Sequence, residues 1–177
     1  MVTKRRLSPE DWLKAGMDAL AQFGPEGLKA EPLARALETT KGSFYWHFPD
    51  VPAFQKQVLD YWQTAAGTEA PLPDQKKDAV AELHRIMQDG FGDDSQAEAA
   101  LRAWARTDPT AAATVEGIDA KRLERLKALL NKVGVTNPDL ARALYAARIG
   151  ATQIAGGSPK ANKAALDTLV DLVLALR

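Results

Sequence analysis

The most restrictive feature of this chain is a repeated two-residue signal, a capping side chain followed at once by proline. It occurs as Ser8-Pro9, Asp108-Pro109, Asn137-Pro138 and Ser158-Pro159. At a helix N-cap the oxygen of Ser, Asp or Asn accepts from a backbone N–H that has no partner inside the helix. Proline at the next position lacks an N–H that would have gone unpaired anyway. Each pair therefore marks a helix start. Asp50, two residues before Pro52, marks a fifth, and Asp74 and Ser95 are weaker starts. Gly24, Gly67, Gly92, Gly134 and Gly156-Gly157 stand where the preceding helices should stop. Alternating apolar and polar stretches rich in Val, Ile or Thr are missing, so no strand is expected. The reading is an all-α chain of about nine helices, over 8–23, 30–37, 41–47, 50–66, 74–91, 95–106, 109–133, 138–155 and 159–176.

Composition narrows the chemistry. The chain has 177 residues, 46% hydrophobic and 26% charged, enough to bury a core. Cysteine is absent, which removes disulfides, thiol catalysis and cysteine-ligated metals. His47 and His84 are the only histidines, too few for a multi-histidine metal site. No apolar run approaches the roughly 18 residues of a membrane span. Ser8-Pro9-Glu10-Asp11 follows Lys4-Arg5-Arg6 where a signal peptide would have its apolar core. A cytoplasmic chain without cofactor or metal is expected, and neither a phosphate loop nor a dinucleotide fingerprint points to an enzyme. Net charge is zero, and residues 1–48 carry seven basic groups against six acidic ones. Any nucleic-acid reading must rest on where charges sit.

Leu28 to Leu59 is the informative stretch. A short helix, Ala30–Leu37, meets a turn, Glu38-Thr39-Thr40, and a second very short helix, Lys41–His47. That spacing is a helix-turn-helix, whose second helix can lie in a DNA major groove. Thr40 caps the second helix where backbone N–H groups favour phosphate. Lys41 adds a flexible cation, and Gly42 and Ser43 are small enough for close approach to base edges. Tyr45, Trp46 and His47 supply polar donors of the kind that hold phosphates without reading sequence. Lys29 is a further phosphate candidate beside its reading as a solvated lysine. Lys4, Arg5 and Arg6 read equally as a groove-reaching arm or a solvated tail.

The run Leu33-Ala34 … Thr40-Lys41-Gly42-Ser43-Phe44-Tyr45-Trp46-His47-Phe48 … Asp50 … Phe54 resembles the DNA-binding domain of TetR-family transcriptional regulators. The resemblance covers roughly residues 7–62, and the amphipathic helix ending Ala21-Gln22-Phe23-Gly24 belongs to it. It implies a helix-turn-helix domain over 1–49 and a helical effector-binding and dimerisation domain over 50–177. It implies a homodimer, joined through 138–155 and 159–176, that binds a palindromic operator and is released by a small molecule, most simply as a repressor. Lys41, Gly42 and Ser43 match positions facing the major groove. Thr40, Tyr45, Trp46 and His47 match phosphate-bonding positions, and Leu33, Ala34, Leu37, Phe44 and Phe48 match the small domain's core. Three positions depart. Glu38 stands where glycine is usual, Pro32 falls inside the first motif helix, and Val51 replaces a common lysine. These motivate the alternative, a helical small-molecule-binding or protein-interaction module whose motif has decayed.

The remaining candidates are fewer. His84, Phe91, Trp104 and Tyr145 are candidate effector-pocket residues, each also readable as helix face or core. Trp62 carries the same two readings, and Arg102 with Arg106 could hold an anion or be solvated. Apolar stripes Leu123/Leu126/Leu130/Val133, Leu140/Leu144/Ala147/Ala151 and Leu166/Leu169/Val170/Val173/Leu176 are expected to pack, with Ala143 and Gly150 permitting close helix approach. Lys121–Lys127 reads as an exposed basic helix back.

Overall fold

The computed structural model describes residues 7–89, 94–154 and 158–175. The expected helices form as α1 Pro9–Phe23, α2 Ala30–Ala36, α3 Lys41–His47, α4 Val51–Ala66, α5 Lys76–Gln88, α6 Asp94–Trp104, α7 Pro109–Val133, α8 Pro138–Ala151 and α9 Pro159–Leu174. A 3-10 turn over Gly24–Gly27, not expected from the sequence, follows α1. No strand occurs among the described residues.

The five strong starts are capped as read. Ser8 and Asp11 form a reciprocal box: the Asp11 N–H donates to Ser8 Oγ at 3.3 Å, and the Ser8 N–H donates to Asp11 Oδ2 at 2.7 Å. Asp50, Asp108, Asn137 and Ser158 accept from the N–H groups of Ala53, Ala111, Asp139 and Ala161 at 2.7, 2.8, 3.0 and 3.1 Å. The weak starts move. α5 follows Gln75 instead of Asp74 and has no side-chain cap, and α6 begins at Asp94, which puts Ser95 inside it. Two helices end early, each with a threonine hydroxyl at its close. Thr107 Oγ1 donates to Trp104 O beyond α6, and Thr152 Oγ1 donates to Ile149 O beyond α8. The same carbonyls keep main-chain donors, Trp104 O from the Thr107 and Asp108 N–H groups at 2.9 and 3.0 Å and Ile149 O from the Thr152 N–H at 3.2 Å, so each hydroxyl adds a bond to a closing turn. α5 stops at Gln88, short of 91. Gly92, Gly156-Gly157 and Leu176 lie outside the described residues.

The chain divides into two compact units, Met1–Thr68 with Gln96–Glu116, and Glu69–Ser95 with Gly117–Arg177. The first has a core of Trp12, Leu20, Leu28, Leu33, Phe44, Phe48, Phe54, Val58 and Leu59. α4 packs into this unit because α1 carries glycine where the two helices meet. A Cβ on Gly16 would lie 2.8 Å from Phe54 Cζ and 3.0 Å from Val58 Cγ2. At Gly27 a Cβ would meet the backbone oxygen of Ala19 at 2.8 Å, so the 3-10 turn also sits against α1 through a missing side chain.

The second unit buries the expected stripes: Leu126, Leu130 and Val133 on α7, Leu144 and Ala151 on α8, and Leu166, Val170 and Val173 on α9. Leu123, Leu140, Ala147 and Leu169 are partly buried against them. One expectation fails at Arg125, which is buried instead of lying on an exposed back. Its Nη1 donates to Ala70 O at 2.7 Å, its Nη2 donates to Glu82 Oε1 at 2.7 Å, and Glu69 lies 3.6 Å away. A guanidinium leaves water only where its fork meets such acceptors. Arg85 also grips Glu82, at 2.7 and 2.8 Å. Hydrogen bonds from Arg85 and then Arg125 outweigh burial and hold the Glu82 carboxyl down at about 2. Arg148 is buried too, donating from Nε to Asp89 O at 3.1 Å.

Two stability outcomes follow from these contacts. Gly16→Ala is expected to cost about 1–3 kcal/mol through overpacking against Phe54, read as a lower midpoint in urea unfolding. Glu82→Gln should cost about 3 kcal/mol at neutral pH, because it strands a buried guanidinium. Glu82 is held from 4.5 down to about 2, so its stabilisation is present above pH 4.5 and lost as pH falls toward 2. The acid limb of stability, followed by circular dichroism, should flatten in the variant.

Candidate nucleic-acid interface

α2, the turn after it and α3 are the pieces of the expected helix-turn-helix. Pro32 is the third residue of α2, inside its first turn, where the missing N–H has no intrahelical acceptor to lose. α2 closes by two main-chain bonds, Glu38 N–H to Arg35 O at 3.1 Å and Thr39 N–H to Ala34 O at 2.8 Å. This crossed pair is a Schellman close, which puts the residue after the cap in left-handed backbone. That residue is Glu38, with φ of 50°. Thr40 Oγ1 then accepts from the Ser43 N–H at 3.3 Å and starts α3.

Seven residues make too short a helix to hold by propensity. Its anchor is Phe44, wholly buried, with its ring centroid 5.4 Å from Trp12, 5.1 Å from Phe54 and 5.2 Å from Phe48. Phe48 and Phe54 close the cluster at 4.8 Å. With Phe44 inward, helical geometry turns the other side chains out. Lys41 and Gly42 are exposed, Ser43 and His47 are half-buried, and Tyr45 and Trp46 are 46% and 66% exposed. Large aromatics are normally hidden, and here two stand largely in solvent on one short helix.

The exposed groups are ordered by one another. Lys41 Nζ sits 5.9 Å from the Tyr45 ring centroid, and the His47 ring stands edge-on to Trp46 at 4.7 Å. A Cβ on Gly42 would find only Thr40 Oγ1, at 3.7 Å. The fold therefore has room for a side chain there, and glycine leaves that surface low. Lys29 is exposed at the N-cap of α2 and pairs with Glu26, while Arg35 pairs with Glu31. Leu33, Ala34, Phe44 and Phe48 are buried as expected, and Leu37 is half-buried. Val51 is the first residue of α4 and is half-buried. Lys4, Arg5 and Arg6 lie outside the described residues.

The residues read as an effector pocket fall in different places. Phe91 lies outside the described residues. Trp104 is buried in the first unit, and Arg102 on the same helix donates to Glu98 at 2.8 Å. His84 and Tyr145 belong to the second unit, in separate networks. His84 faces carboxylates from both ring nitrogens, Asp167 at 3.0 Å from Nδ1 and Asp171 at 3.3 Å from Nε2. Gln88 Nε2 also donates to Asp167, and the Gln88 amide, then His84, hold that carboxyl below its usual range. The Tyr145 hydroxyl donates to Asp119 at 2.7 Å and accepts from Arg122 at 3.4 Å, while burial pushes the phenol up. No group of three or more metal-ligating side chains occurs among the described residues. A groove of about 410 Å³ that the sequence did not suggest runs between Leu13 of α1 and Gln57, Asp60, Tyr61, Thr64, Ala65 and Thr68. The only prior signal for it was the helical spacing of those polar residues on α4.

Residues 13–50 match the family model for bacterial regulatory proteins of the tetR family. The fold is similar along almost the whole chain to a protein from Rhodococcus sp. assigned to the TetR-family transcriptional regulators. That pair has a TM-score of 0.77 and 21% identity, over 94% of this chain and 98% of that one. A regulator from Saccharomonospora viridis solved in complex with choline gives a TM-score of 0.70 at 12% identity, over 92% and 95%. SmeT, the repressor of the Stenotrophomonas maltophilia multidrug efflux pump SmeDEF, gives 0.66 at 18% identity, over 97% and 90%. At such identities the likeness is one of fold. No curated protein sequence gives a match. No helix among the described residues is long and apolar enough to cross a membrane.

Phe44→Ala should be among the most damaging single changes in the first unit. Loss of a fully buried ring costs about 3–5 kcal/mol. Thermal unfolding followed through tryptophan fluorescence should show that loss, with Trp46 less quenched by an ordered His47 neighbour.

Proposed function

We propose that this chain, whose residues 13–50 match the model for bacterial regulatory proteins of the tetR family, is a regulator of that kind and acts as a homodimeric repressor. It binds a palindromic operator through α3 and is released by a small-molecule effector. The observation that carries this reading is the outward face of α3: Lys41, Gly42, Tyr45 and Trp46 are exposed over an anchor, Phe44, that is wholly buried. Lys41 and Ser43 face the major groove with Gly42 between them. Thr40, Tyr45, Trp46, His47 and Lys29 hold phosphates and so fix register without reading sequence.

A second copy is needed because a helix of seven residues reaches too few bases to specify a site. Two such helices about a turn of DNA apart, roughly 34–36 Å, read two half-sites. The pairing is assigned to α8 and α9. On α8, Ala143, Ala146 and Gly150 are exposed at one helical register, and a Cβ on Gly150 would meet nothing within 4 Å. On α9, Ala161, Ala165, Thr168 and Leu172 are exposed at helical spacing, with Leu172 61% in solvent. Small residues along both stripes suit close helix packing.

DNA binding is thus assigned to 1–49, and effector binding and dimerisation to 50–177, in a cytoplasmic, non-enzymatic protein. Two fold relatives support an effector, one as a choline complex and one as a repressor of a multidrug pump. His84 and Tyr145 are the second-unit residues assigned to effector contact. The effector lowers DNA affinity only as far as it prefers the conformer that misplaces the two α3 helices.

The test is fluorescence anisotropy with duplex from upstream of the chain's own gene and with random duplex, across a salt series. Tyr45→Ala with His47→Ala should weaken binding to both duplexes alike, roughly tenfold or more, and flatten the salt dependence. Lys41→Ala or Ser43→Ala should also change which bases are preferred. A double variant that binds like the unmodified protein overturns these roles.

A further inference from the structure

The 3-10 turn over Gly24–Gly27 carries an acid whose partner is a residue assigned to DNA. Glu26 and Lys29 are exposed, while Gly27 and Leu28 between them are buried. The Leu28 N–H donates to Pro25 O at 3.1 Å, and Gly27 sits where a Cβ would lie 2.8 Å from Ala19 O. The backbone beneath both side chains is therefore fixed by its own packing. Lys29 Nζ donates to Glu26 Oε2 at 2.5 Å, and that bond, then the ammonium charge, holds the Glu26 carboxyl below its usual range. Arg35 and Glu31 form a looser pair on α2, at 3.4 Å.

A pair in solvent is weak enough to exchange, and lysine is a point charge on a flexible stem that can change partners. To reach a phosphate, Lys29 must release Glu26, and the freed carboxylate then stands near the polyanion. A phosphate contact ordinarily raises affinity by releasing condensed counterions, about 0.9 for each charge neutralised. Where the ammonium arrives already neutralised, the carboxylate it leaves draws a cation back from solution, and the net release falls toward zero. Lys29 then positions the duplex while adding little attraction.

We propose that Glu26 competes with the DNA backbone for the Lys29 ammonium and so sets how much that lysine adds to affinity, an inference that rests on the assignment of Lys29 to phosphate contact. Glu26 acts on DNA only through Lys29. Non-specific binding, which is nearly all electrostatic, is held down with it.

Anisotropy on the own-gene upstream duplex and on random duplex, across a salt series, tests this with Glu26→Gln, which removes the charge and keeps the side chain's size. Glu26→Gln should bind both duplexes about two- to fivefold more tightly at low salt, with a log–log salt slope steeper by up to about one. Lys29→Ala should change affinity by less than about twofold in the unmodified chain, yet remove the whole gain in the Glu26→Gln background. Glu31→Gln removes an equal charge from the same unit and leaves the Lys29 pair intact. In that background Lys29→Ala should again stay below about twofold. The proposal is overturned if Glu26→Gln leaves affinity unchanged or weaker, or if Lys29→Ala has the same effect in all three backgrounds. If Tyr45→Ala with His47→Ala still weakens binding in that case, only Glu26's role falls. If the unmodified chain shows no salt-dependent binding to either duplex, the DNA reading itself falls, and this inference with it.

Discussion

The burial of one phenylalanine organises the functional face of this protein. α3 is seven residues long, below the length at which a helix holds itself in water. It exists because Thr40 caps its start and Phe44 plugs into Trp12, Phe48 and Phe54. That plug does more than stabilise. Side chains on so short a helix have little choice of direction, so fixing Phe44 inward fixes Lys41, Gly42, Tyr45 and Trp46 outward. The stability of the first unit and the presentation of its polar groups are therefore one constraint. A change that loosens the aromatic cluster would blunt the surface without touching it.

Packing around that cluster depends on two absent side chains. Gly16 lets Phe54 and Val58 of α4 settle onto α1, and Gly27 lets the 3-10 turn rest on the backbone of Ala19. Neither role is readable in the chain before the contacts are known, since a glycine in a helix pattern signals only a possible weakness. The packing also places α4 with the elements before it, whereas the division at 49 and 50 follows assigned function. A boundary drawn by role and one drawn by contact need not coincide, and here they differ in α4 and in Gln96–Glu116, both of which fall by contact in the first unit.

The second unit is held by apolar stripes and by a chain of charges. Glu69, Arg125, Glu82 and Arg85 form a partly buried relay, and Arg148 joins it to α8 through the carbonyl of Asp89. Such a relay favours one arrangement of its helices, because each guanidinium out of water needs its own acceptors. His84 works similarly between α5 and α9, with a carboxylate at each ring nitrogen. These networks hold the unit's shape. They also include His84 and Tyr145, the residues assigned to effector contact, so an effector there would meet side chains already engaged with Asp167, Asp171 and Asp119.

Helix number, most helix starts and the helix-turn-helix with its outward groups were legible from the residues, because capping, proline placement and periodicity are local. A Ser, Asp or Asn before proline states its conformation within four residues, and the Lys41–Phe48 run states its own anchor. Helix ends were less legible: α6 and α8 stop at Trp104 and Ala151, before the glycines or prolines that follow them in the sequence. Non-local facts came from tertiary structure alone. Arg125 reads as solvated until Glu82 and Ala70 arrive from distant positions, and the left-handed backbone of Glu38 is settled only when α2 closes on itself. The physical reason is range. Backbone preferences act over a few residues, whereas the burial of a charge or the close approach of two helices depends on neighbours that only the folded chain brings together.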